Sequence, residues 1–110
     1  MGLINILKAS STCPCCGKKG IFGIQFKYGF TRYLEFMLGE PLQWSGTRND
    51  VGKPGARRIL VQGGGAKCPN CGEIDLEFDI LVEGDVLVSV TPIGEERSYE
   101  SPEGFIVLEP

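Results

Sequence analysis

The chain has 110 residues, of which 42% are apolar and 23% charged, with a net charge of −3 and no histidine. That is the length of one domain, 1–110, with apolar residues enough for a single modest core. The lack of imidazole excludes Ser-His-Asp triads, Cys–His pairs and histidine acid–base chemistry. No apolar run approaches the ~18 residues of a membrane span, and the opening MGLINILKASS is too short and too weakly basic for a secretory signal. A cytoplasmic protein without membrane contact is expected. In a reducing compartment, clustered cysteines point to metal or redox work rather than to disulfides.

In chain order the pattern is mostly strand, and 16 glycines and seven prolines mark frequent turns. Residues 3–7 form a short apolar segment. Residues 21–30 alternate, with Phe22, Ile24, Phe26, Tyr28 and Phe30 on one face. Residues 32–38 place Leu34, Phe36 and Leu38 on one face of a strand, and Tyr33, Phe36 and Met37 at the spacing of a short helix. Residues 39–55 read as a long polar loop around Trp44, and long loops in small domains tend to be functional or mobile. Residues 57–62 are a strand candidate, and GGGAK (63–67) reads as a flexible hinge. Residues 74–82 alternate most clearly: Ile74, Leu76, Phe78, Ile80 and Val82 face inward, and Asp75, Glu77 and Asp79 form a wet acidic face. Glu83-Gly84-Asp85 signals a turn into a strand over 86–91, giving a hairpin. The acidic tail 94–110 is expected to be partly disordered, with 104–108 as a last edge strand.

All five cysteines fall in two near-copies, CPCCG (13–17) and CPNCG (68–72). Each has two residues between cysteines, Pro after the first and Gly after the second. Two intervening residues let a tight turn aim both sulfurs at one point. Pro fixes φ, and Gly allows φ > 0 so that backbone N–H groups turn toward the thiolates. Two such turns give four sulfurs, Cys13, Cys16, Cys68 and Cys71, which matches a tetrahedral metal site. Cys15, matched by Asn70 in the second copy, is left over. A lone C-x-x-C would read as a redox pair, but the matched second copy favours metal. Zinc is the expected ion and iron the less favoured one. A saturated four-thiolate site has no open position for water, so its role is to hold the fold together and no enzyme activity is expected.

The two C-P-x-C-G turns, each followed by a strand, resemble the knuckles of zinc-ribbon proteins. They also resemble small bacterial cysteine-rich proteins carrying a CPCC motif, and the paired knuckles of rubredoxin-type iron sites. The resemblance implies a small domain of antiparallel strands with a four-cysteine zinc-ribbon site. The 51 residues between Cys16 and Cys68 are more than compact ribbons use and place the ribbon on a larger β domain.

Charge is unevenly spread. Residues 1–67 carry ten Lys or Arg against three Asp or Glu, a balance of +7, whereas residues 68–110 carry one against eleven, a balance of −10. Two binding surfaces follow. An acidic strand face of Asp75, Glu77 and Asp79 is the expected dock for a protein partner. The loop region with Arg48, Lys53, Arg57 and Arg58, and Trp44 for stacking, is the alternative dock, for nucleic acid. A third alternative is redox chemistry at an iron site or at Cys15. Lys18, Lys19 and Lys67 flank the cysteines and are expected to offset the charge of a four-thiolate site.

Overall fold

The computed structural model describes residues 4–13, 15–46, 50–74, 76–92 and 104–110. Pro14, Arg48, Asp75 and the 94–103 part of the acidic tail lie outside the described residues. Among those described there is no helix, and so none long and apolar enough to cross a membrane.

The described residues form nine strands: β1 (Asn5–Thr12), β2 (Lys19–Phe26), β3 (Gly29–Phe30), β4 (Glu35–Met37), β5 (Asp50–Val51), β6 (Arg58–Ala66), β7 (Leu76–Glu83), β8 (Val86–Pro92) and β9 (Phe105–Glu109). Seven make one sheet in the order β4-β1-β2-β6-β7-β8, with β9 also on β6, while β3 and β5 pair separately. Every ladder is antiparallel except β1–β4. The sheet curls back on itself. Past β4, Gly39 N–H donates to the Leu87 carbonyl (2.7 Å), Leu87 N–H to Glu40 (3.1 Å) and Leu42 N–H to Asp85 (2.7 Å). Those bonds join the chain after β4 to the start of β8, and closure of this kind removes exposed sheet edges.

Alternation fills the interior. Leu7 and Ala9 of β1, Phe22, Ile24 and Phe26 of β2, Ile59 and Val61 of β6, Phe78, Ile80 and Val82 of β7 and Leu87 of β8 are all buried. Each large apolar side chain so buried contributes about 1.5–3 kcal/mol. Phe22 and Phe78 meet with ring centroids 5.1 Å apart. The β7–β8 hairpin turns on Gly84 (φ 55°) and Asp85 (φ 65°). Positive φ at both central residues is the type I′ turn, whose twist matches the flanking strands.

Four expectations are corrected. Residues 63–67 are not a hinge: β6 runs through Ala66, and a Cβ on Gly63 would run into Ile24 and Ile80, so this glycine lets β6 close on the core. Residues 32–38 contain no helix, since Tyr33 has φ 57°, and only Glu35–Met37 is strand; Leu38 is exposed. Ile74 lies before β7 and is 59% exposed, outside the core. The described parts of the loop 39–55 are pinned rather than free: the buried Tyr28 hydroxyl donates to the Lys53 carbonyl (3.1 Å), Asp50 accepts from Ser45 and Gly46, and Asp85 accepts from Gly55. The last strand expected at the end of the acidic tail forms as β9, paired along β6, and Phe105 packs edge-on against Tyr28 at 5.3 Å.

Candidate metal centre

The first knuckle closes the β1–β2 hairpin and the second joins β6 to β7. The two are built alike, bond for bond. Cys13 Sγ accepts from the N–H groups of Cys15 (3.3 Å) and Cys16 (3.4 Å), and Cys68 Sγ accepts from Asn70 (3.3 Å) and Cys71 (3.4 Å). Gly17 N–H donates to Cys13 O at 3.0 Å and Gly72 N–H to Cys68 O at 3.1 Å. Cys13 N–H donates to Lys18 O and Cys68 N–H to Glu73 O, both at 2.9 Å. Gly17 and Gly72 both sit at φ 76°, a conformation that costs a residue with a Cβ but not glycine. The repeated Gly follows from this geometry.

The fold brings the knuckles together where strand pairing gives out. β2 and β6 share only two register pairs, Gln25–Gly64 and Phe26–Gly63. Toward the knuckles, β6 bulges between Gly63 and Ala66. There Asn70 Nδ2 donates to the Lys19 carbonyl at 3.1 Å. Pro69 lies so close to Gly20 that a Cβ there would stand 2.8 Å from its Cγ. The second knuckle thus seats directly on the start of β2.

The four sulfurs of Cys13, Cys16, Cys68 and Cys71 all lie within 4.8 Å of one another. Across the knuckles, Cys13 Sγ is 3.8 Å from Cys71 Sγ and Cys16 Sγ is 3.7 Å from Cys68 Sγ. Thiolates ~2.3 Å from one tetrahedral ion sit ~3.8 Å apart, whereas a disulfide would bring them to ~2.05 Å. The cysteines are free, and the arrangement fits one metal ion. Cys13 and Cys68 are buried, Cys16 is half-buried and Cys71 exposed. Cys15 is exposed and stands outside the four-sulfur group.

The electrostatics call for a cation. Backbone N–H groups of Cys71 and Asn70 outweigh burial at Cys68 and draw its thiol down to about 6. At Cys71 the backbone of Glu73 acts to lower the pKa, but burial and the facing sulfurs of Cys68, Cys13 and Cys16 overcome it and push the thiol up to about 12. Cys16 is likewise raised: the lowering from the Lys18 backbone is outweighed by burial and by Cys13 and Cys68. A thiolate at Cys68 accepts from facing thiols, and such hydrogen bonds hold the protons on Cys71 and Cys16. A divalent ion takes the place of those protons and leaves a net −2. Lys18, Lys19 and Lys67 lie exposed beside it.

The other predicted site residues are scattered. Glu77 is exposed, but Asp79 is buried at 8% exposure and is not part of a wet face. It lies on a central strand with Gln62 and Thr91 as register neighbours on either side, so flanking side chains cover it. Trp44 is no free stacking platform: its ring is half-buried, edge-on to Tyr28 with centroids 5.5 Å apart. Arg58 faces Glu83 at 3.3 Å and Glu109 at 3.8 Å, leaving Lys53 and Arg57 as the exposed cations of that set among the described residues. Sequence reading missed Asn5, which is fully buried. Its Nδ2 donates to Phe30 O (2.9 Å), and its Oδ1 accepts from Arg32 and Leu34 N–H, both at 3.1 Å. A polar residue in an apolar run was the available signal. No protein-family model, curated protein or solved structure matches the chain.

Proposed function

We propose that this protein is a non-catalytic binding module whose small β domain is held closed at one end by a structural zinc ion on Cys13, Cys16, Cys68 and Cys71. The observation that carries this reading is the four-sulfur cluster at tetrahedral spacing, fed by matched backbone N–H groups from two knuckles. Four protein ligands fill a tetrahedral ion and leave no place for a substrate or an activated water. Zinc is favoured over iron because a structural site has no use for a redox couple. Elemental analysis tests the ion. A colourless protein holding stoichiometric zinc supports the reading, and a coloured one holding iron would replace it with the electron-transfer alternative.

The binding role is directed at a protein rather than a nucleic acid. Support comes from the acidic balance of the chain, pI ≈ 4.9, and from the half-buried ring of Trp44 and the acid-paired Arg58, which weigh against two of the proposed nucleic-acid contacts. A pull-down from native cells with the zinc-loaded chain tests the protein partner. Salt-dependent filter binding to DNA or RNA, lost on replacing Lys53 and Arg57 with Glu, would instead support the nucleic-acid reading.

A further inference from the structure

The two knuckles match in their hydrogen bonds but not in exposure. Cys13 and Cys68, the first cysteine of each, are both 1% exposed. The second cysteines differ. Cys16 is half-buried and packed against the hydrophobic core, whereas Cys71 is exposed. The surround of Cys71 is open: Asn70, Gly72 and Glu73 are all exposed, and a Cβ on Gly72 would meet nothing within 4 Å. The sulfur that solvent reaches also has a second sulfur at hand, since Cys13 Sγ of the other knuckle lies 3.8 Å away. Oxidation selects a cysteine with thiolate character, exposure and a resolving cysteine beside it. Metal ligation supplies the first, because cysteine binds metal as the thiolate. The fold supplies the other two at Cys71.

We infer that the metal centre is a redox-sensitive clasp: a hydroperoxide oxidises Cys71, Cys13 resolves it as a disulfide, and the ion is released while the two knuckles stay joined. The inference rests on the reading of the four cysteines as a structural metal site. In the first step the Cys71 thiolate attacks an oxygen of hydrogen peroxide; the S–O bond forms, the O–O bond breaks and hydroxide leaves. In the second the Cys13 thiolate attacks the Cys71 sulfur; the S–S bond forms, the S–O bond breaks and a second hydroxide leaves. Each sulfur gives up one electron, and with two protons from solvent the peroxide ends as two waters. Cys16 and Cys68 alone no longer complete a four-ligand set. The new bond spans the gap that the metal spanned. It ties the turn of the β1–β2 hairpin to the β6–β7 connection, beyond the last register pair of β2 and β6. The sulfurs close from 3.8 Å to ~2.05 Å, and the open side at Cys71 leaves room for that shift. A crosslink from residue 13 to residue 71 closes a long loop and restricts the unfolded chain, so the oxidised chain keeps its fold without metal. In a reducing compartment such a disulfide is transient and sensing rather than structural.

The test uses the zinc-loaded full chain, as wild type and as Cys15→Ser, so that the exposed Cys15 thiol is not mistaken for a cluster thiol. Hydrogen peroxide is added in molar excess, zinc release is followed with a chromophoric chelator, and disulfides are mapped by mass spectrometry after free thiols are blocked. Both forms are expected to release all their zinc with Cys13–Cys71 as the first disulfide. They should keep a cooperative melt without metal, and take zinc up again after reduction by dithiothreitol. Chain stripped of zinc by chelator under reducing conditions should lose the cooperative melt. A first disulfide between any other two cysteines would overturn the clasp, as would zinc release with sulfonic acid and no disulfide, or a melt lost together with the zinc. If the purified chain holds no metal, the reading as a structural site fails. If it holds zinc that peroxide does not release, that reading stands and only the clasp falls.

Discussion

Cys15 and Cys16 are neighbours of the same type with opposite parts to play. Cys16 Sγ lies 3.7 Å from Cys68 Sγ, whereas Cys15 is exposed and outside the cluster. Cys15→Ser should therefore retain the metal and the wild-type melt, while Cys16→Ser should lose the metal or the fold; metal content and far-UV circular dichroism of the two variants decide it. Asn5 is a second residue-scale case. Its three hydrogen bonds hold the turn before β4, including the backbone on both sides of Tyr33 at φ 57°. Asn5→Ala would strand buried donors and an acceptor, and should cost about 2–4 kcal/mol in urea unfolding. Tyr28 is the third. Burial raises its phenol above 10.0, against a lowering from the Lys53 backbone. An acid whose pKa is raised on folding stabilises the fold below its unfolded pKa, and that stability is lost as pH climbs through the folded value. Stability should fall above about pH 10 in the wild type and less steeply in Tyr28→Phe, as read from melting temperatures across pH 8–12.

At the scale of elements, what sequence could reveal depended on how local the physics was. The knuckles were legible because two residues between cysteines, a Pro and a Gly fix a turn without help from the rest of the chain. The β7–β8 hairpin was legible for the same reason, its turn needing only Gly84 and Asp85 at positive φ. Alternation found the cores of β2 and β7. It failed at Asp79, because parity says which side a residue faces but not whether that side is covered on a central strand. It failed again at 63–67, where three glycines look like a break. Only the tertiary contacts of Ile24 and Ile80 show that Gly63 is there so that the strand can close on the core. Adjacent glycines thus separate cleanly. Gly63→Ala should destabilise by about 1–3 kcal/mol through overpacking, and Gly64→Ala should be neutral or slightly stabilising, both measured by thermal or urea unfolding.

For the whole molecule, the metal centre and the barrel closure divide the labour. Hydrogen bonds between residues 39–42 and 85–87 close the sheet at one place. The four sulfurs bridge the β1–β2 and β6–β7 hairpins at another, where the β2–β6 ladder has run out. Metal affinity in such sites is folding free energy, ~10 kcal/mol or more. A metal ion on the four sulfurs would therefore add to the hold that the core gives the fold. The fold class was readable from pattern, but the curl of the sheet was not, since it rests on pairings between segments far apart in the chain. The central claim is that four cysteines hold one zinc ion, and elemental analysis of the purified chain tests it most directly. One zinc per chain is expected, lost together with the cooperative melt when Cys68 is replaced by Ser; a folded wild-type chain without bound metal, or one whose metal survives that replacement, would contradict it.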